Sequence, residues 1–220
     1  MIDRRGADAV VIFDHCCGGV GWPSRSPLAT IPRMDEPSLP VITTPRLLLR
    51  WISEADVDAL YEIFSDPQVV RYWSFGPLPN SEAAAAMQRE IAETNLKDTM
   101  WKWGLALRDS NRLIGTTTLF NLSLSNGRAE IGYAMGRPYW GKRYMNEALT
   151  ALIVHAFETV KLRRLEADVD PRNAASIRTL ERLGFQREGF LRERWHVEGE
   201  IQDAYFYGLL RHQWKAPEKH

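Results

Sequence analysis

Apolar and polar positions follow no sustained period over residues 1–40, and fall into clear periods from Val41 onward. The first segment carries Gly18, Gly19 and Gly21, then Pro23, Pro27, Pro32, Pro37 and Pro40, and reads as a flexible extension ahead of one domain over 41–215. Met34, just before the periodic pattern, is a candidate natural start. Residues 46–51 read as a strand. Ser53 then supplies an N-cap, with Glu54 and Asp56 in the first turn, and Val57, Leu60, Tyr61 and Phe64 follow at helical spacing until Asp66-Pro67 ends the helix. Pro77 and Pro79 mark a loop, and Asn80 or Ser81 caps a second helix over 82–91. Strand-like runs at 100–107, 113–122 and 128–135 are separated by turns at 109–111 and 125–127, the latter with a hairpin-type Asn-Gly pair. Residues 142–160 return to helical period, 165–169 form a short strand, and 173–183 form a helix closed by Gly184. A last strand pair, 185–197 and 201–210, turns at Glu198-Gly199. The order β-α-α-β-β-β-α-β-α-β-β predicts a mixed α/β (α+β) fold with a mostly antiparallel central sheet.

Composition narrows the function classes. The 220 residues include 28 basic and 28 acidic side chains, so no basic surplus points to nucleic acid. A hydrophobic content of 45% and an aromatic content of 10% suffice for a buried core. The two cysteines, Cys16 and Cys17, are adjacent; they suggest neither a disulfide framework nor a Cys/His metal site, and favour a reducing, cytoplasmic location. No apolar run approaches the roughly 20 residues of a membrane span, and residues 9–13 are too short for a signal-peptide core. Neither a metal nor a membrane partner is expected.

The most informative stretch joins a strand to a helix: Ala129-Glu-Ile-Gly-Tyr-Ala-Met135 runs into Gly136-Arg-Pro-Tyr-Trp-Gly-Lys-Arg-Tyr-Met145. A helix N-terminus presents unpaired N–H groups and partial positive charge, which suit a pyrophosphate. Gly141 removes a Cβ where a phosphate would press on the backbone, and Lys142 and Arg143 add charged donors. The plainer alternative is a structural turn. In Asp170-Pro-Arg-Asn-Ala-Ala-Ser-Ile-Arg-Thr-Leu-Glu-Arg-Leu-Gly-Phe185, Asn173 reads as an N-cap with Ser176 one turn on.

Together these stretches resemble the GCN5-related N-acetyltransferase (GNAT) superfamily, specifically its RimJ/RimL ribosomal-protein N-acetyltransferase branch. The likeness runs from about Thr43 to Trp214: Thr43-Thr-Pro-Arg-Leu-Leu-Leu-Arg50 resembles the opening strand, Leu113-Ile-Gly-Thr116 the third and Ala129-Glu-Ile-Gly-Tyr133 the fourth. Trp140-Gly-Lys-Arg-Tyr-Met-Asn-Glu-Ala-Leu149 resembles the coenzyme loop and helix, and 173–185 is the most specific match. The resemblance implies acetyl-coenzyme A as co-substrate, held where the fourth and fifth strands of the sheet splay apart at a bulge, with helices on both faces. Backbone groups of Ala134 and Met135 would pair with the pantetheine arm. N–H groups across Trp140, Gly141, Lys142, Arg143, Tyr144 and Met145 would hold the pyrophosphate, and Asn173 would bond the pantetheine region. This sequence departs from the pattern twice: Arg143 stands where relatives usually have Gly or Ala, and Leu180 where many carry a proton-donating tyrosine. In the branch a serine at the position of Ser176 looks like the substitute.

Amide formation from a thioester needs a neutral amine, so a general base is required. Glu130 matches the branch's proposed base; a cross-strand ion pair is the structural alternative. Tyr72, Trp73 and Phe75 fall where relatives line the acceptor cleft, although packing explains an aromatic cluster equally well. Glu147 suits the helix dipole, His155 reads as a packed histidine, and Arg163 and Arg164 as solvated charges. The expected reaction acetylates a primary amine, a protein N-terminus first and a small amine such as a polyamine, amino acid or aminoglycoside second. The alternative is a coenzyme-binding module without turnover. The protein is expected as a monomer or homodimer.

Overall fold

The alternating segments assemble into one eight-stranded sheet in a computed structural model that describes residues 39–95, 100–197 and 199–215. In chain order the strands are β1 (Ile42–Thr43), β2 (Leu47–Arg50), β3 (Trp101–Leu107), β4 (Leu113–Ser123), β5 (Arg128–Met135), β6 (Arg164–Val169), β7 (Gln186–Val197) and β8 (Glu200–Leu210). They lie side by side as β1-β2-β3-β4-β5-β6-β8-β7, antiparallel throughout except for β5 against β6. The helices are α1 (Val57–Phe64), α2 (Pro67–Val70), α3 (Ser81–Asn95), α4 (Tyr144–Val154) and α5 (Ala174–Arg182).

Strand alternation divides the core between the two faces. Ile131 and Met135 of β5 pack with Ala148, Leu149 and Leu152 of α4 and Leu180 of α5. Ala134 packs on the other side with Leu60 and Phe64 of α1 and Ala84 and Ile91 of α3. Helices therefore cover both faces, and the mixed α/β sheet with helices on each side is the architecture expected.

Local differences have local causes. β1, a two-residue strand, pairs with β2 and was not expected. Ser53 starts a single 3-10 turn, Glu54–Asp56, that leads into α1; Asp56 accepts from the Ser53 N–H (2.8 Å), closing a capping box, and pairs with Arg50. Asp66-Pro67 ends α1 but also begins α2, because Asp66 caps the Gln68 N–H (2.9 Å) and proline at a first helical position lacks only an N–H that would be orphaned. The helix expected over 142–160 gives way after Val154 to a wider π turn, His155–Thr159. The extension expected over 1–40 lies, apart from Leu39 and Pro40, outside the described residues.

The sheet divides between β5 and β6. They pair only over Arg128↔Arg164, Ala129↔Leu165 and Glu130↔Glu166. Beyond that, residues 131–135 stay laddered to β4 while Ala167, Asp168 and Val169 stay laddered to β8. Because β1 counts as a strand, these are the fourth and fifth strands of the sequence reading.

Candidate active site

The split leaves a sheet edge inside the molecule. Gly136 N–H donates to the Ile114 carbonyl (2.9 Å), and ladder bonds recur at every second residue of an antiparallel pair. Gly132 and Ala134 therefore spend their backbone groups on β4, whereas Ile131, Tyr133 and Met135 direct theirs toward the gap. This corrects one expectation: Tyr133 and Met135, not Ala134, offer backbone groups there. Trp140 Nε1–H donates to the Met135 carbonyl (2.6 Å), so that oxygen already has a partner. Backbone groups without a strand partner in mid-sheet are costly unless something pairs with them, and an extended chain fits such an edge.

Above the gap, a 3-10 turn (Arg137–Tyr139) leads to the start of α4. Gly141 has φ +73 and nothing within 4 Å of where a Cβ would stand. Arg143 is the N-cap residue of α4 and is itself left-handed, φ 63. That explains the glycine of relatives and makes the departure here a cost: the position has positive φ, which glycine adopts freely and arginine adopts at about 1–2 kcal/mol. Gly141, Lys142 and Arg143 are exposed, as is Trp140, while Tyr144 and Met145 are partly buried in the first turn of α4.

Glu147 fixes where that turn sits. Its carboxylate accepts from Thr44 Oγ1 (2.6 Å), the Arg46 N–H (2.8 Å) and Arg46 Nε (2.7 Å), tying α4 to the β1–β2 turn. Burial works to raise its proton affinity, but those bonds and the Arg46 charge outweigh it and hold the carboxyl below its ordinary value. Arg46 also donates to the Lys142 carbonyl (3.1 Å) and lies over the Tyr144 ring. The dipole argument for Glu147 missed this clamp, since its partners come from a hundred residues away.

Glu130 lies at the last paired position before the gap and is 7% exposed. It is no simple surface residue, nor is it ion-paired among the described residues: Asn121 Nδ2 donates to its Oε1 (2.8 Å). Burial pushes its carboxyl above the ordinary value; the Asn121 bond opposes that, the charges of Asp168 and Glu166 add to it, and Arg194 opposes it. Asn121 reaches Glu130 because β4 bulges between Phe120 and Ser123, with Asn121 left-handed at φ 48. An asparagine breaking an otherwise strand-like run was the only sequence signal for it.

The acids near Glu130 have their own arginines. Glu166 accepts from Arg128 (2.9 Å) and Arg164 (2.6 Å), and Asp168 from Arg194 (2.8 Å); past the end of β6, Asp170 accepts from Arg172 (2.6 Å). Arg164 is thus enclosed in ion pairs rather than solvated, while Arg163 donates to the Asn126 carbonyl (2.7 Å).

Asn173 caps α5 as expected, its Oδ1 accepting from the Ser176 N–H (3.1 Å). Ser176 is half-buried in the first turn, and its carbonyl accepts from the Tyr133 hydroxyl (3.4 Å), whose pKa burial pushes up to about 12. Leu180 is buried in the core. Among the acceptor-cleft candidates, Trp73 and Phe75 pack against Phe64, with centroids 5.4 and 6.0 Å from its ring, so packing accounts for both. Tyr72 reaches across to donate to the Arg172 carbonyl (3.3 Å), next to α5. His155 packs edge-on against Trp103 (5.8 Å). Among the described residues no group of His, Cys, Asp and Glu is placed to hold a metal, and no helix is long and apolar enough to cross a membrane.

The chain matches the family described as acetyltransferase (GNAT) domain over residues 46–186. It is 36% identical to the uncharacterized N-acetyltransferase p20 of Bacillus licheniformis over 171 residues, covering 78% of this chain and 96% of that one. It is 27% identical to the [ribosomal protein uS5]-alanine N-acetyltransferase of Escherichia coli, covering 79% of this chain and 92% of the relative. Mycobacterium smegmatis RimJ, solved in complex with CoA-disulfide, superimposes with a TM-score of 0.69 at 22% identity, over 76% of this chain and 82% of RimJ, a likeness of fold. The split sheet, its open β5 edge and these matches lead to one conclusion: the chain belongs to the GNAT acetyltransferases and is an acetyl-coenzyme-A-dependent N-acetyltransferase.

Proposed function

We propose that this enzyme acetylates the N-terminal α-amine of a protein, with Glu130 as general base. The observation that carries this reading is Glu130 itself: a buried carboxyl of raised proton affinity at the mouth of the gap, among acids that arginines already neutralise. One uncompensated carboxylate matches one cation, which favours a single amine over a polyamine. At pH 7.5 roughly a third of an α-amine is neutral, against about one in a thousand for a lysine side chain, so a carboxylate base has far less to do for the α-amine. The relative from E. coli is named for N-acetylation of an alanine of ribosomal protein uS5, and an alanine residue has a free amine only at a chain's N-terminus, which supports the same acceptor class.

Acetyl-coenzyme A supplies the acetyl thioester. The open edge at residues 131–135 and the exposed loop at Gly141 suit its extended arm and its phosphates. Tyr133 and Met135 direct N–H groups into the gap, where they would polarise the thioester carbonyl. Lys142 and Arg143 add charge beside the α4 N-terminus. Glu130 removes a proton from the amine directly or through one water, and Ser176, at the start of α5, gives a proton to the departing sulfur.

The test uses three acceptors: a lysine-free peptide with a free α-amine, the same peptide N-blocked but carrying lysine, and spermidine. Mass spectrometry of the products is expected to find acetyl on the free α-amine alone. Turnover confined to spermidine would sink the acceptor assignment. Tight coenzyme binding with no thiol release on any amine would instead establish a non-catalytic module.

A further inference from the structure

Two strand bulges converge on Glu130, and only one is explained by holding it. The β4 bulge turns left-handed Asn121 onto its Oε1. The second lies in β7, where the register shifts between Leu191 and Trp195 and Glu193 is left-handed, φ 52, its N–H bonded to Asp203 (2.8 Å). That bulge sends the next residue, Arg194, across β8 to Asp168 on β6, where Nε meets Oδ2 at 2.8 Å. Non-glycine residues in the left-handed region cost about 1–2 kcal/mol each and persist where the surroundings impose them, often beside functional groups.

Asp168 is two residues beyond Glu166, the partner of Glu130, and so on the same sheet face, just past the point where β5 and β6 part. Its side chain is 9% exposed, and its Oδ1 is buried with no hydrogen-bond partner among the described residues, whereas Arg194 remains 41% exposed. An isolated structural ion pair gains little from half-satisfying a buried carboxylate.

We propose that Asp168 and Arg194 are positioning residues that act through Glu130, the pair setting how strongly the base holds its proton. This rests on Glu130 as the base. The charged and polar groups around Glu130 are Asn121 from β4, Arg128 on β5, Arg164, Glu166 and Asp168 from β6, and Arg194 from β7. Glu166 is matched by Arg128 and Arg164, so Asp168 and Arg194 form the adjustable part of the field. Burial makes Glu130 a stronger base than a solvated carboxylate, and on top of that Asp168 raises its proton affinity while Arg194 lowers it.

The two partners push in opposite directions, so their removal makes a signed test. Carboxyl-¹³C NMR follows the Glu130 titration, assigned by its absence in Glu130→Gln, and kcat/KM is measured against pH on the same proteins. Asp168→Asn is expected to lower the Glu130 midpoint and carry the acid limb of kcat/KM to lower pH by on the order of half to one unit. Arg194→Gln is expected to move both upward by a similar amount, and Arg194→Lys to return them toward wild type. Midpoints unmoved in both variants, or moved in the same direction, overturn the proposal while leaving Glu130 as base. If Glu130→Gln keeps full turnover with its acid limb, Glu130 is not the base and both readings fall.

Discussion

The two sides of the gap between β5 and β6 are built from different material. On the side proposed for the coenzyme the candidate groups belong to the backbone: the open edge at residues 131–135, the left-handed turn at Gly141 and Arg143, and the N-terminus of α4. On the side proposed for the acceptor they are charged side chains, Glu130, Glu166, Asp168 and Arg194, brought together from three strands. A backbone site is robust to side-chain identity provided the torsions are met, which is why arginine can stand at position 143. A side-chain site depends on each group and on the balance of charge among them, so single substitutions there should act on the chemistry rather than on binding.

Glu130→Gln is the sharpest way to break that contrast. It should lower kcat by about 10²–10⁴-fold with the Kd for acetyl-coenzyme A unchanged, by steady-state kinetics and calorimetry. An equal loss in binding would mean that the two sides are not separable. Ser176→Ala should lower kcat by on the order of tenfold or more, again without a change in Kd.

On the coenzyme side, Glu147→Gln should destabilise the fold by about 2–3 kcal/mol in denaturant, because it weakens the charged bonds to Thr44 and Arg46, and should raise the KM for acetyl-coenzyme A. The sign of its pH dependence is fixed. The folded carboxyl titrates below its unfolded value, so its stabilisation is complete above about pH 4.3 and is lost as pH falls through the folded pKa. The variant should lack that part of the acid dependence.

Gly141→Val tests the turn. A Cβ meets nothing within 4 Å, so the penalty is torsional, about 1–2 kcal/mol at φ +73, and should appear as roughly tenfold weaker coenzyme binding with the sheet intact. The smallest effect is the most discriminating. Arg143→Gly should raise stability by under about 1 kcal/mol through relief of its left-handed φ, while Arg143→Ala should not. If the guanidinium grips phosphate, both should weaken coenzyme binding several-fold; unchanged binding in both would make this side purely backbone.

The turns and caps on the proposed coenzyme side were legible in the sequence because their signals are local. Gly141 before an amphipathic run, Asn173 as a cap, and Gly184 past the end of α5 are each decided within one turn of chain. Which backbone groups of β5 face the gap was not legible, because that parity depends on the register with β4; the Gly136–Ile114 bond settles it against Ala134. For Trp73 and Phe75 the sequence left cleft lining and packing open for a related reason: an aromatic cluster does not announce whether Phe64 lies beneath it.

By itself the sequence determined the order of elements and the caps and left-handed turns that bound them, consequences of short-range periodicity and torsional preference, while the candidacy of Glu130 and of the coenzyme turn came from the family resemblance. Only the tertiary structure decided what surrounds that carboxylate. Asn121, Asp168 and Arg194 lie 9, 38 and 64 residues from Glu130 and meet it through two bulges and a strand split. Electrostatic coupling depends on distance in space, which sequence separation does not encode.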